Sequence, residues 1–253
     1  MRLARYRLGS GAGPAVPTCA GGWCRVSRNA SRPVPRVLCV GLSCLDLVWH
    51  VEAFPPRASR EEATAHARHG GGPAATAAVA AARYGVETHL WALHGEDEAG
   101  VDLTRELEGF GVHVDGVVVP VGARTFTSAV IVDASGERWI FPYRGESLED
   151  DPARWPLEQV ASFDVVLTDL RHPHLAEAVM TAARAAGVPI LVDLGNLRHV
   201  ELARQADVLI ASEEAAVAAL DAAGVTPSED PSVWAEEAIA ALRGSSGQQV
   251  AIT

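Results

Sequence analysis

The sequence predicts an α/β fold: a central, mostly parallel sheet with helices on both faces, plus a small β lid. Three observations carry this. An apolar strand, "RVLCVG", opens the main body of the chain. From Phe163 onward, apolar runs of strand length alternate with alanine-rich helical stretches, and such alternation calls for a parallel sheet. Between the two, "RTFTSAVIVDASGERWIFPYRG" breaks the rhythm. Its β-rich runs flank the turn "DASGE", a hairpin that belongs outside the main sheet.

The elements follow in order. Val37 to Val40 reads as a strand, Gly41 as a turn, and Leu45 to Val51 as a second extended piece. "PPRASREEATAHARH" is polar and mixes loop with a short strand. The glycine run "HGGGP" then leads into a helix from Pro73 to Tyr84, closed by Gly85. "THLWALHG" is a strand, and "EDEAGVDLTRELEGFGV" an amphipathic helix with Asp97 near its start and Gly111 past its end. The lid spans residues 117–144. After it, "FDVVLTDL", "VPILVDLG", "ADVLIAS" and "QQVAIT" are strands; "LAEAVMTAARAAG", "EEAAVAALDAAG" and "PSVWAEEAIAALRG" are helices.

Charge and composition exclude several functions. Of the 21 basic residues every one is arginine, so a Walker-type lysine, a Schiff base and a lysine nucleophile are all ruled out. Seven arginines and no acid fall in residues 1–36; the remaining 14 face 32 acids, a net of −18. A body this acidic argues against a nucleic-acid partner, whose phosphate backbone demands a basic face. No apolar run reaches membrane-spanning length, so no membrane partner is expected. The four cysteines (Cys19, Cys24, Cys39, Cys44) form no C-x-x-C pair, which argues against zinc and fits a reducing, cytoplasmic setting. Residues 1–36 read as a disordered, arginine-rich extension, although an organelle transit peptide has the same composition.

Ligands of open α/β sheets sit outside the carboxyl ends of strands. Asp46, Asp169, Asp193, Ser212, Glu213 and Glu214 all fall at or near such ends. A strand-end acid also caps helices, so each has a structural reading beside the functional one. Gly70, Gly71 and Gly72 would let the backbone approach a ligand, and the helix behind Pro73 would offer free N–H groups to a hydroxylated or anionic one. A tight strand-to-helix corner explains the same residues. The spacing is wrong for a dinucleotide fingerprint.

From Val37 onward the sequence resembles the ribokinase/PfkB family of carbohydrate kinases. "VLCVGLSCLDLVWHVEAFP" is similar to that family's opening, "GGGPAATAAVAAARYG" to its first signature, and "HGEDEAGVDLTRELEGFGVHVDGV" to its G-x-D-x-x-G segment. "ADVLIASEEAAVAAL" falls where the family has N-x-x-E, although Ser212 replaces the Asn and Ala215 the Glu. Thr76 stands where Asn is frequent. The "SEE" and "YRG" segments resemble a sulfofructose-kinase-like subgroup. The resemblance implies a ribokinase-like fold and transfer of the ATP γ-phosphoryl to a sugar hydroxyl, with Mg²⁺ and allowance for a monovalent cation. It implies that Asp46, Gly71, Gly72 and Thr76 hold the sugar. Arg144 would meet an anionic substituent or else be a solvated surface arginine. Ser212 and Glu213 would lie on the nucleotide side. No metal ligand is assigned. The lid would exclude water and admits a homodimer contact.

The family's D-T-x-G-A-G-D-type loop, which carries its catalytic base, does not occur in residues 37–253. In the family a strand like "QQVAIT" lies upstream of that loop, so the resemblance places the base Asp beyond Thr253. The expectation is therefore a partial kinase domain over 37–253, lacking the C-terminal part of the fold, with no catalytic residue of its own. Such a chain would retain part of a sugar pocket without turnover. A non-catalytic sugar- or nucleoside-binding protein and a nucleoside kinase are the alternatives.

Overall fold

The computed structural model describes residues 34–253 except 56, 58, 59, 245 and 246. The arginine-rich extension up to residue 33, with Cys19 and Cys24, lies outside the described residues. The elements in chain order are β1 (Arg36–Val40), β2 (Cys44–His50), β3 (Ala65–Gly71), α1 (Pro73–Arg83), β4 (Glu87–Leu93), α2 (Glu98–Gly109), β5 (Val112–Val118), β6 (Thr127–Val132) and β7 (Arg138–Tyr143). There follow β8 (Val165–Thr168), α3 (Pro173–Ala186), β9 (Ile190–Leu194), α4 (Val200–Ala203), β10 (Val208–Ala211), α5 (Glu213–Ala222), α6 (Pro231–Leu242) and β11 (Gln249–Ile252).

Seven strands form a sheet in the order β11-β10-β9-β8-β1-β4-β5, and every pairing in it is parallel. Alternation along each strand divides the core in two. Leu38, Val40, Val166, Val192 and Leu209 pack on one face with α3, α5 and α6. Cys39, Leu90 and Ala92 pack on the other with α1 and α2, through Ala74, Ala78 and Leu107. The alanine-rich face of α1 lets the helix sit close to the sheet. On the α1/α2 side, Leu191 and Ile210 of β9 and β10 are only half-buried, and β11 stands at the sheet edge.

The lid is larger than a hairpin. It is a four-stranded sheet in the order β3-β2-β6-β7. The β6–β7 hairpin lies outside the main sheet as the sequence predicts, but β2 and β3 build the other half. Val117 and Val118 belong to main-sheet strand β5 rather than to the lid. The polar segment before the glycines becomes a full strand because β2 offers it a ladder from His50↔Ala65 to Cys44↔Gly71. Gly70 and Gly71 therefore end a strand, and only Gly72 makes the corner.

Candidate functional site

Strand order reverses beside β1: the chain moves outward through β4 and β5, then returns to β8 on the other side. In open sheets the crevice beyond such a switch point receives the ligand. Here it is framed by Gly41–Ser43 after β1, Asp169–Arg171 after β8, and the start of α1.

Asp169 holds this region together. Its carboxylate is almost fully buried and accepts amides from Leu42 (2.9 Å), Ala74 (3.1 Å) and Arg171 (2.9 Å). Burial raises its pKa, against the pull of those amides and of the Arg171 charge. A side chain at Gly41 would run into this carboxylate, which explains the glycine there.

The same contacts answer the question of the α1 N-terminus. Pro73 has no amide hydrogen. Ala74 donates to Asp169, Ala75 to the Leu42 carbonyl (3.3 Å) and Thr76 to the Gly72 carbonyl (2.9 Å). The free N–H groups expected from the sequence behind Pro73 are thus already used by the chain, at Ala74, Ala75 and Thr76. Gly72 has φ +94°, and a Cβ on it would meet the Leu42 backbone. The glycine run is a tight corner as well as a wall of the crevice.

Asp46 and Gly71 do come together. Asp46 lies on β2, with His69 opposite it on β3 and Ser128 on β6. Its carboxylate rests against Gly71, where any Cβ would overlap it, and it accepts the Cys44 thiol at 3.5 Å. Burial and the neighbouring Asp46 push that thiol up to about 12, so Cys44 stays protonated. Thr76 is placed elsewhere. It lines a cavity of about 230 Å³ between α1 and α2 with Ser43, His69, Gly70, Glu106 and Phe110.

Arg144, just beyond β7, lines a different cavity of about 80 Å³ with Asp169, Arg171, Asn196, Arg198 and His199. Arg171, Arg198 and His199 escaped the sequence reading. Arg171 lies three residues past the end of β8, and Arg198 and His199 four and five past the end of β9. Asp193, at the end of β9, is half-buried, and desolvation raises its pKa against the Arg171 charge.

Ser212 caps α5 by accepting the Ala215 amide (3.2 Å), and Glu213 sits in the first turn, where the helix dipole favours an acid. Thr253, past which the resemblance places the catalytic Asp, has a structural part of its own. Its amide donates to the Ala211 carbonyl (2.9 Å), and its carbonyl accepts the Glu213 amide (3.0 Å). Thr253 thus extends the β10–β11 ladder and takes up one amide at the start of α5. Among the described residues no cluster of three or more His, Cys, Asp or Glu side chains could hold a metal ion.

The G-x-D-x-x-G segment fastens the lid. Asp97 caps α2 through the Gly100 amide (3.1 Å) and also accepts the Thr125 amide (3.0 Å) and hydroxyl. Gly95 donates to the Thr125 hydroxyl (2.9 Å). Arg124 and Glu146 exchange backbone hydrogen bonds across the lid's stem. Below them the buried His94 bridges Thr104 (2.9 Å) and Ser43 (2.8 Å), and burial lowers its pKa to about 4.

A seven-stranded parallel sheet with a β lid over its switch point defines a ribokinase-like protein. Residues 34–253 match the pfkB family carbohydrate kinase model, and the chain belongs to that family. It is 29% identical over 190 residues to an ATP-dependent ribose-1-phosphate kinase of Halopiger xanaduensis, covering 74% of this chain and 64% of the relative. A candidate ribokinase from Agrobacterium tumefaciens superposes with a TM-score of 0.69 at 35% identity, covering 77% of this chain and 63% of that one. Ribokinase from Giardia lamblia shares the fold with a TM-score of 0.73 at 18% identity, over 87% of this chain and 69% of that one. The chain thus spans less than two thirds of the length of the first two.

Proposed function

We propose that this chain provides the sugar-binding side and the lid of a kinase that transfers the γ-phosphoryl group of ATP to a sugar hydroxyl. The observation that carries the reading is the seat of the Asp46 carboxylate on Gly71, on the lid sheet near the switch point. A carboxylate there accepts hydrogen bonds from sugar hydroxyls, and the missing side chain of Gly71 makes room for that carboxylate. On this reading Gly72, Thr76 and Arg144 also meet the sugar, Thr76 from the cavity between α1 and α2 and Arg144 from the one beside Asp169. Ser212 and Glu213 stand toward the nucleotide. Family membership and the ATP-dependent Halopiger relative support the nucleotide and the sugar.

Mg²⁺ would neutralise phosphate charge in such a transfer. The described residues offer it no ligand cluster, so no step is assigned to it or to a monovalent cation here. On this reading the residues of this chain orient the sugar and exclude water.

Two further readings accompany this. Ile140, Phe141 and Tyr143 are about half exposed on β7, the lid's outer strand, and would support a homodimer through the lid. Cys39 and Cys44 are free, buried thiols, in keeping with a cytoplasmic protein.

The test is calorimetric titration with sugars, with and without ADP. Asp46→Asn should lose at least tenfold in sugar affinity while ADP binding is kept. Unchanged sugar affinity in that variant would remove Asp46 from the site.

A further inference from the structure

Asp46 differs from three other acids of the chain in what holds its side chain. Asp97, Asp150 and Asp169 each accept at least two backbone amides. Among the described residues Asp46 accepts a single donor, the Cys44 thiol, at 3.5 Å from Oδ1. A thiol is a weak donor, so the carboxylate keeps most of its capacity to accept.

The register of the lid explains why that donor is a thiol. Cys44 and Asp46 are two residues apart on β2 and so share one face of the sheet. On that face Ser128 of β6 stands beside Asp46, and Gly71 of β3 stands opposite Cys44. Gly71 has no side chain, so the space facing Cys44 is open. The Asp46 carboxylate leans into it, with Oδ2 only 2.2 Å from where a Cβ on Gly71 would be. The lean brings Oδ1 to the thiol. Ser128, the lateral neighbour, bonds through its hydroxyl to the Cys44 sulfur instead.

Ser128, Cys44 and Asp46 therefore form a chain of hydrogen bonds that ends on Oδ1. Its first two members are closed to solvent, at 5% and 4% exposure, while Asp46 is half-buried. Burial and the charges of Asp46 and Asp169 keep the thiol protonated, so it carries the hydrogen it donates. At the open end, Oδ2 has no donor among the described residues. One oxygen is fixed and the other is free, which sets the orientation of the carboxylate before any ligand arrives and lowers the cost of binding.

We infer that Cys44 is a positioning residue of the sugar site: its thiol holds Oδ1 of Asp46 so that Oδ2 is presented to a sugar hydroxyl. This rests on the reading of Asp46 as a sugar acceptor and adds the group that orients it. Cys44 acts through Asp46 and makes no contact of its own with the sugar.

The test is a double-mutant cycle read by calorimetry on the 253-residue chain, with ribose, fructose and ADP as probes and circular dichroism to check folding. Cys44→Ala should weaken sugar binding about three- to tenfold and leave ADP unchanged. Cys44→Val, which fills the space without a donor, should lose as much. Cys44→Ser keeps a donor and should stay within about twofold of the parent. In an Asp46→Asn background Cys44→Ala should have no further effect, because the group it acts through is gone. Parental affinity in Cys44→Ala, or recovery in Cys44→Val, would overturn the inference and leave the kinase reading intact. An equal loss with and without the Asp46 carboxylate would overturn it too, by showing that Cys44 meets the sugar directly or serves packing alone. Unchanged affinity in Asp46→Asn, or a parent chain that binds neither sugar, would overturn both readings.

Discussion

One carboxylate oxygen of Asp169 accepts the amides of both Leu42 and Ala74, at 2.9 and 3.1 Å. It ties the loop after β1 to the first turn of α1, across the point where strand order reverses. Asp169→Ala would leave those two buried amides without a partner. Each such loss costs about 1–3 kcal/mol, partly offset by no longer burying a carboxylate, so we expect a net loss of about 2–4 kcal/mol. Urea denaturation measures it, and a change below about 1 kcal/mol would show that water takes over the role of Asp169.

Gly72 and Gly111 both have positive φ, +94° and +81°. Only at Gly72 would a methyl group meet backbone, while Gly111 faces open space. Gly111→Ala should cost about 1 kcal/mol of backbone strain, and Gly72→Ala at least twice that. Equal denaturation midpoints for the two variants would contradict the close approach of Leu42 to the corner.

His94 makes stability depend on pH. Its pKa falls from 6.5 to about 4 because burial disfavours the charged ring; the Gly100 backbone and Asp97 pull weakly the other way. The unfolded chain therefore takes up this proton first. The contribution is complete above about pH 6.5 and is lost as pH falls toward 4, amounting to about 3 kcal/mol over that window. Asp169, with its raised pKa, runs in the opposite direction, so the informative quantity is a difference. His94→Gln should show a shallower fall in unfolding free energy between pH 6.5 and 4 than the parent. Parallel profiles would rule out His94 as the cause.

Asp97 fastens the lid stem through Thr125 while capping α2. Asp97→Ala should cost about 1–2 kcal/mol through the lost cap. Its more specific effect should be local, with faster amide hydrogen exchange in β6 and β7 and unchanged protection in β1 and β8. Uniform acceleration across both sheets would show that Asp97 serves global stability alone.

The alternation of apolar runs made the main sheet legible, because each parallel strand is bounded by a helix of distinct period. The β6–β7 hairpin was legible from its turn, and the α2 cap from Asp97. The β3 strand was not: "HARHGG" is polar and glycine-rich, and only its pairing with β2, set by the fold, makes it extended. In the site, Asp46 and Gly71 were legible as a pair because their motifs match a known family. The state of the α1 amides was hidden, since Asp169 lies 95 residues from Ala74 and nothing local announces the bond. The hold of Thr253 on Glu213 was hidden for the same reason. Arg171 and Arg198 were hidden likewise: each stands alone in the sequence, and only the sheet sets them around one cavity.

The pairing of β2 with β6 has a consequence for how the chain is made. Leu45 pairs with Thr127, and β1 pairs through Val37 with Val165. A ribosome delivering the chain from its N-terminus releases β1 and β2 long before either has its second neighbour. The β2–β3 ladder can zip as soon as Gly71 emerges, but one edge of β2 stays open until the lid hairpin follows, and one edge of β1 until β8 does. Such long-range closure is slow and leaves apolar strand edges unprotected on the way. Nascent chains halted between Gly109 and Thr127 should thus be the species most avidly held by chaperones.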